Sequence, residues 1–584
     1  MLQLLTVLLF GLAAVLGSVN RRLGYAGMLV AAVLFAIIQF TPGNYLSYFS
    51  LISSFVWVFV AIYSFSYGEH YGKWLSSMLP LTIMGMALIL VSTNYLVLIT
   101  GWEIMSVPSY VIIALNKKED RPAAVFMLFS EFSTIFLIAG VAYAYSISGT
   151  LSFVPLNDYL PMLLISLAGL TKMGMTPFMI SEWLPIAHGN APASASAVLS
   201  STMTLMGVFV IMRITFLSPT ETYIGIFFLI IGGLSIIFAA IYAYISENMK
   251  MLAGFSTIEN NAAILSAIGL YIIAFSPALR SFILVVIIIF SLAHSLSKTG
   301  LFLSIGNTGG EFFGEISGFS NRWGNVGTFL STMSLSGLFP TIGGLGVWML
   351  LESFFMEAYS GGFSGIAAII VGSVLALGEG MATGAALKVL SFGNLFHRSS
   401  RGRNSTGFFT VMALGGFLVF MLSISVLVFP PSFISGIPGI LIFNGFMITS
   451  KFGNADFGVL SPDYVILLIS AFSILAYAVF RKPRHRSVPV WNGGRDIEEV
   501  YTSYAYSNNI RLMLRKILRT RTGNQNQSLT VMDVFWYAML RTGGAYKSVC
   551  KFITLRFMNS SIGWYMIYMI AAFMITLIIS VELI

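Results

Sequence analysis

The sequence predicts an all-α polytopic membrane protein of about 16 transmembrane helices, with two inverted five-helix repeats, each holding one broken helix. Three observations predict it. First, the chain has 584 residues, of which 57% are hydrophobic and 9% charged, whereas soluble domains carry about 25% charged residues. Too little polar surface remains to cover a water-exposed globule, so lipid must cover it. Second, apolar runs of roughly 20 residues recur along the chain, each long enough to cross about 30 Å of hydrocarbon. Only helices and closed barrels satisfy their backbone there, and continuous runs, unlike dyad-alternating segments, select helices. Third, two of the runs are interrupted by glycine and proline at matching positions of two blocks, the pattern of inverted-repeat transporters.

The spans can be taken in order. Three N-terminal ones lie near 1–19, 24–41 and 48–66, within a segment 1–75. The first resembles a signal peptide but lacks a basic start, so it is expected to be retained, with Asn20-Arg21-Arg22 as the loop that follows. A first repeat, 76–216, holds spans near 76–93, 95–115, 122–146, 159–187 and 192–216. A second, 222–396, holds 222–245, 255–275, 278–304, 325–360 and 362–396. Segment 407–480 adds 407–429 and 462–480, and 562–584 adds the last span, near 562–582. Between these lies a basic linker and amphipathic stretch, 481–560, with Arg511, Arg515, Lys516, Arg519 and Arg521. Its last part, Val531 to Phe557, mixes apolar and basic residues and reads as a lateral helix on the membrane surface. A plain linker is the alternative.

Loop charges test the count. With the N-terminus outside, the inside loops hold Arg21-Arg22, Lys73, Lys117-Lys118, Arg121, Lys250, Arg322, His397 to Arg403 and Arg481 to Arg486. The outside loops hold no Lys or Arg except Lys451. This obeys the positive-inside rule and places both termini outside a multi-pass protein of the cell membrane. The net charge of +9 therefore reflects topology and not nucleic-acid binding. A single cysteine, Cys550, excludes a disulfide framework or a cysteine-ligated iron–sulfur cluster within the chain. No cofactor and no metal are expected in it.

The interruptions fall at the fourth span of each block. In 159–187, Gly169 and Gly174 precede Pro177; in 325–360, Pro340 precedes Gly343, Gly344 and Gly346. Proline removes a helix donor and glycine loosens the backbone. Ionisable residues gather around these breaks. Glu103, Glu131, Lys172, Glu182 and His188 lie in the first block. Glu259, His294, Lys298, Glu352, Glu379 and Lys388 lie in the second, with His294 and Lys298 four apart on one helix face. A charge at bilayer depth costs about 2.5–3.5 kcal/mol or more, so such residues mark ion pathways or structural pairs. Burial lowers a lysine pKa and raises a carboxylate pKa, bringing both towards neutrality, which suits a proton relay. A series spread over both blocks favours transport over static pairing.

These stretches resemble a known family: the antiporter-like subunits of respiratory complex I, the large Mrp Na⁺/H⁺ antiporter subunits, and matching subunits of energy-converting membrane-bound hydrogenases. GWEIMSVPSYVII looks like its fifth span, with Glu103 at the key glutamate. GLTKMGMTPFMISEWLPIAHGNAPASASAVLSS looks like the broken seventh span and the start of the eighth, with Lys172 at the pumping lysine. ISENMKMLAGFSTIENNA is similar to the loop and tenth span, LAHSLSKTGLFLSIG to the eleventh with His294 and Lys298, and ALKVLSFGNLF to the thirteenth with Lys388. The AHGNAPASASAVLSS and STIEN forms resemble the formate hydrogenlyase and hydrogenase-4 branch. Three positions depart from the pattern: Ile186, Leu205 and Val347 stand where the family carries ionisable groups.

The resemblance implies translocation of protons, or of sodium, driven by redox chemistry in partner subunits of a complex I-like or hydrogenase-type assembly. Glu103, Lys172, His294, Lys298 and Lys388 would carry the ion. Glu131, Glu182, His188, Glu259, Glu352 and Glu379 would be accessory. The alternatives are a non-pumping membrane anchor of such a complex and a stand-alone cation/proton antiporter.

Overall fold

The structure, a computed structural model, describes residues 2–115, 121–175, 181, 183–306, 310–315, 322–338, 341–395, 441–444, 447–452, 455–460, 462–480, 502–514, 534–557 and 566–571. The first helices are α1 (Leu2–Val19), α2 (Arg21–Gln39), α3 (Ser47–Tyr67), α4 (Gly72–Leu90), α5 (Tyr95–Ala114) and α6 (Arg121–Ser148). Local chemistry starts several of them. The Asn20 side chain accepts from the Arg22 amide, and that of Asn94 from the Val97 amide, satisfying donors that a helix start leaves open. α1 packs on α2 and α4, and α4 on α5.

The first interrupted span is two helices. α7 (Leu160–Lys172) stops before Gly174, whose φ of 82° only glycine adopts freely, and α8 (Trp183–Asn190) is the next helix. α9 (Ala193–Val198) runs through a π-helical turn, Leu199–Met203, into α10 (Thr204–Leu217). The second block follows as α11 (Thr222–Ile245), α12 (Met249–Ile273) and α13 (Pro277–Ile305). Its interrupted span is α14 (Arg322–Leu335) and α15 (Ile342–Ala358), followed by α16 (Gly362–Lys388) and a π-helical turn, Val389–Leu395. The packing of the two blocks corresponds: α6 meets α7 and α8 as α13 meets α14 and α15, and α4 pairs with α5 as α11 pairs with α12.

Among the described residues, ten helices are long and apolar enough to cross a membrane. The expected spans 159–187, 255–275 and 325–360 are also helical but fall outside that group. The first and third are broken, and the second, α12, carries Lys250, Glu259, Asn260 and Asn261. Such polarity is tolerated because nearly all of α12 is buried inside the protein and so meets side chains rather than lipid. The expected span 407–429 and residues Glu182, Pro177 and Pro340 lie outside the described residues.

The break between α14 and α15 depends on one close approach. A Cβ at Gly343 would lie 1.7 Å from the Ser334 carbonyl oxygen, and the Gly343 amide donates to Ser334 Oγ at 3.2 Å. We expect Gly343→Ala to lower stability by roughly 1–3 kcal/mol through forced backbone displacement, read as an earlier thermal unfolding transition of the detergent-solubilised protein. An unchanged transition would show that this break has slack.

The described residues are nearly all helical, with one small sheet besides. Leu441–Asn444 (β1), Met447–Phe452 (β2) and Ala455–Leu460 (β3) form a three-stranded antiparallel sheet in the order β1-β2-β3, within the stretch expected to be the outside loop that carries Lys451. α17 (Pro462–Phe480) and α18 (Ser503–Met513) follow. Residues 1–532 form one compact unit and residues 533–584 a second. Within the second, α19 (Val534–Phe557) is a single helix covering the predicted amphipathic stretch, and 566–571 of the expected last span are helical.

Candidate functional site: clusters around buried lysines

Lys172 is the last residue of α7, where the helix gives out. Its side chain is 1% exposed. The ammonium donates to Ser106 Oγ at 2.6 Å and Ser130 Oγ at 2.9 Å, and sits 5.5 Å above the Trp102 ring and 5.7 Å above Phe126. Trp102 Nε1 donates to Ser133 Oγ, which donates to the Ala168 carbonyl, so α5, α6 and α7 are pinned together around the lysine.

Glu103 stands one hydroxyl away. Thr134 Oγ1 donates to Glu103 Oε1 at 2.6 Å, and Thr134 lies one helical turn beyond Ser130. Glu103 and Glu131 both lie within electrostatic reach of Lys172, yet among the described residues no carboxylate contacts its ammonium. Hydroxyls that both donate and accept therefore stand between acid and base. Glu131 itself is exposed on the surface of α6.

The break is closed from both blocks. Asn261 of α12 donates from Nδ2 to the Met173 carbonyl at 2.9 Å, and Trp183 Nε1 donates to the Thr171 carbonyl at 2.9 Å. The first satisfies a carbonyl at the end of α7, and the second adds to the bond that the Thr171 carbonyl accepts from the Gly174 amide.

A second cluster joins α12, α13 and α16. Lys298 is 0% exposed, and its ammonium donates to the Ala253 carbonyl at 3.2 Å. Glu259 and Glu379 are the carboxylates acting on it. Glu259 Oε2 accepts from Asn260 Nδ2 at 2.7 Å. One turn before Lys298, His294 Nε2 meets the Ser200 carbonyl at 3.4 Å, and Ser295 donates to the Ser201 carbonyl at 3.0 Å. Both acceptors belong to the π-helical turn, where the widened spiral changes the regular pattern of carbonyl bonding. Ser200 Oγ also bonds Thr257 of α12 at 2.6 Å. A small cavity beside His294 is lined by Asn260, Ser297, Ser334 and Gly343 at the second break, and Val347 lines it too.

The remaining predicted residues are dispersed. His188 is fully buried with its ring 4.7 Å from that of Phe302, within the fields of Lys298 and Lys250. Glu352 is buried in α15. Lys388 is fully buried but stands at the end of α16, beside the turn joining α11 and α12, and not in the second cluster. Its ammonium donates to Glu247 Oε1 at 2.9 Å and to the Ser246 carbonyl at 2.9 Å.

Sequence reasoning missed Ser106, Ser130, Thr134, Asn261, Glu247 and Arg511. The first three had a signal. Ser106 stands three residues from Glu103, and Ser130 and Thr134 are four apart, spacings that place groups on one helix face.

Comparison with known proteins agrees with this architecture. Residues 92–376 match the family described as NADH:quinone oxidoreductase/Mrp antiporter, TM. Hydrogenase-4 component B of Escherichia coli (strain K12) is 27% identical over 333 residues, covering 52% of this chain and 49% of its own. Formate hydrogenlyase subunit 3 of the same organism is 25% identical over 356 residues, 58% of this chain and 57% of its own. The chain thus spans about half the length of the relatives it matches. Among solved structures, a chain of the membrane-bound sulfane sulfur reductase, an archaeal respiratory membrane complex, shares the fold with a TM-score of 0.77 at 15% identity, over 98% of this chain and 99% of that one. Residues 92–376 of this multi-pass membrane protein, which hold both helix breaks, Lys172 and Lys298, are thus similar to the NADH:quinone oxidoreductase/Mrp antiporter transmembrane family.

Proposed function

We propose that this chain translocates protons across the cell membrane, as the antiporter-like subunit of a complex I-like or membrane-bound hydrogenase-type assembly whose partner subunits do the redox chemistry. The observation that carries the reading is Lys172. A buried ammonium sits at a helix break, held by two hydroxyls, with Glu103 one hydroxyl further on. A hydroxyl can pass a proton by donating and accepting in turn, and moving Glu103 nearer or further changes the lysine's hold on its proton.

Lys298, with Glu259, Glu379 and His294, would be the second station. Lys388 with Glu247 would be the mouth at one membrane face. Lysine favours protons over sodium as cargo, because an ammonium is formed by taking up a proton and repels a metal cation.

The corresponding packing of the two blocks supports an inverted repeat, since α7 and α14 occupy matching places in them. The loop charges support both termini outside. A single α19 that carries Arg541, Lys547 and Lys551 among Leu540, Val549 and Phe552 supports a lateral helix on the membrane surface.

The test is ion flux in vesicles reconstituted with the complete assembly, with and without a sodium gradient. Redox turnover should acidify one compartment at the same rate in both conditions. Acidification that follows the sodium gradient would transfer the cargo to sodium, and turnover with no ion movement would overturn translocation.

A further inference from the structure

Lys388 meets a part of the chain that neither the family match nor the predicted pathway includes. α18 lies beyond residues 92–376, after α17, and its polar face covers the lysine. Arg511 of α18 donates to Glu247 Oε1 at 2.6 Å, the same oxygen that accepts from Lys388. It also donates to the Ile245 carbonyl. Ser503 donates to Glu247 Oε2, and Ser507 Oγ accepts from the Lys388 ammonium at 3.4 Å.

Rings complete the seal. The Tyr506 ring lies tilted against that of Tyr244 at 5.3 Å and packs against Phe392, while its hydroxyl donates to the Gly384 carbonyl. Tyr504 lies 4.0 Å under the Arg511 guanidinium, and Phe313 lies 5.3 Å from the Lys388 ammonium. The side chain of Lys388 is 0% exposed, while those of Arg511 and Glu247 are 9% and 13% exposed.

Two cations on one carboxylate oxygen repel each other, so Arg511 weakens the claim of Glu247 on Lys388. We propose that α18 is a plug over the Lys388 mouth, that Arg511 is a positioning residue sharing Glu247 with Lys388, and that the mouth meets water when α18 leaves. The helix is suited to leaving. It is short, begins at the single cap that Thr502 makes to the Ala505 amide, and holds its place through polar contacts to one turn and a few rings. Elements with few buried apolar contacts are the ones that open locally. The role of this plug in transport rests on the translocation proposed above, but the plug itself does not.

The experiment uses the full chain in its native membrane assembly. Replacing Cys550, the chain's single cysteine, by serine leaves a thiol-free background. Ser246→Cys then places a reporter at the mouth, where Ser246 is 0% exposed, and a small hydrophilic methanethiosulfonate is applied to permeabilised membranes. The reporter should react slowly. Adding Arg511→Met, or separately Ser503→Ala with Ser507→Ala, should speed labelling at least about tenfold, whereas Arg511→Lys should keep most of the protection. Fast labelling with α18 intact, or slow labelling in both sets of weakened variants, would overturn the plug. Flux through Lys388→Ala is measured in parallel. If it is normal, the mouth assignment fails while the labelling still decides the plug.

Discussion

Lys172→Ala in the assembled complex is expected to cut ion translocation at least about tenfold, the rate equivalent of ~1.4 kcal/mol or more, while partner redox turnover persists in part. The substitution removes the ammonium that the Ser106 and Ser130 hydroxyls hold. It leaves Glu103 with Thr134 but with no base to exchange a proton with. Ser130→Ala should give a smaller loss, because the ammonium keeps Ser106 while it loses the one hydroxyl it takes from α6, the helix whose Thr134 holds Glu103. The measurement is proton movement per turnover in reconstituted vesicles. Wild-type stoichiometry in Lys172→Ala would remove the first station from the pathway. A loss in Ser130→Ala equal to that of Lys172→Ala would mean that the hydroxyl bridge matters as much as the lysine.

Glu247→Ala should be the most destabilising single change in the second block. It leaves the fully buried Lys388 and the nearly buried Arg511 facing each other with no anion between them. Removing one partner of a buried pair costs about 3–5 kcal/mol, because the other charge remains out of water. Glu247→Ala combined with Lys388→Met should recover part of that loss, since replacing a whole pair by apolar groups can be nearly neutral. Thermal unfolding of the solubilised protein, with α18 release followed by the thiol reporter, checks both. No shift in Glu247→Ala would mean that water already reaches the cluster.

The same carboxylate sets a pH dependence. Burial pushes Glu247 up, but Lys388, the Ser503 hydroxyl and Arg511 together outweigh it and hold the carboxyl below its ordinary 4.5. A depressed carboxyl stabilises the folded contact above that value and loses its contribution as pH falls through the folded value. The α18 contact should therefore hold across the neutral range and loosen only in acid below pH 4.5.

How far the amino-acid order reached can be argued residue by residue. Gly174 and Gly343 were legible as the places where helices break. Proline and glycine act on their own backbone, and structure bears this out with a positive φ at the first and a close approach at the second. Lys172 and Lys298 were legible as costly charges inside apolar runs. The sheet between 441 and 460 was not legible, because short apolar runs with glycine between them also read as loop.

The helical membrane class and the two breaks were determined by sequence alone, since apolar length and backbone freedom are local properties. Tertiary structure decided which charges meet. Lys172 takes its hydroxyls from residues 66 and 42 positions away, and the expected acid bonds a threonine and not the lysine. Lys388 shares its carboxylate with Arg511, which lies 264 residues beyond Glu247. No period or spacing carries such a pairing. It arises because a buried charge must find an opposite charge or a polar group in whatever element the packed chain brings beside it.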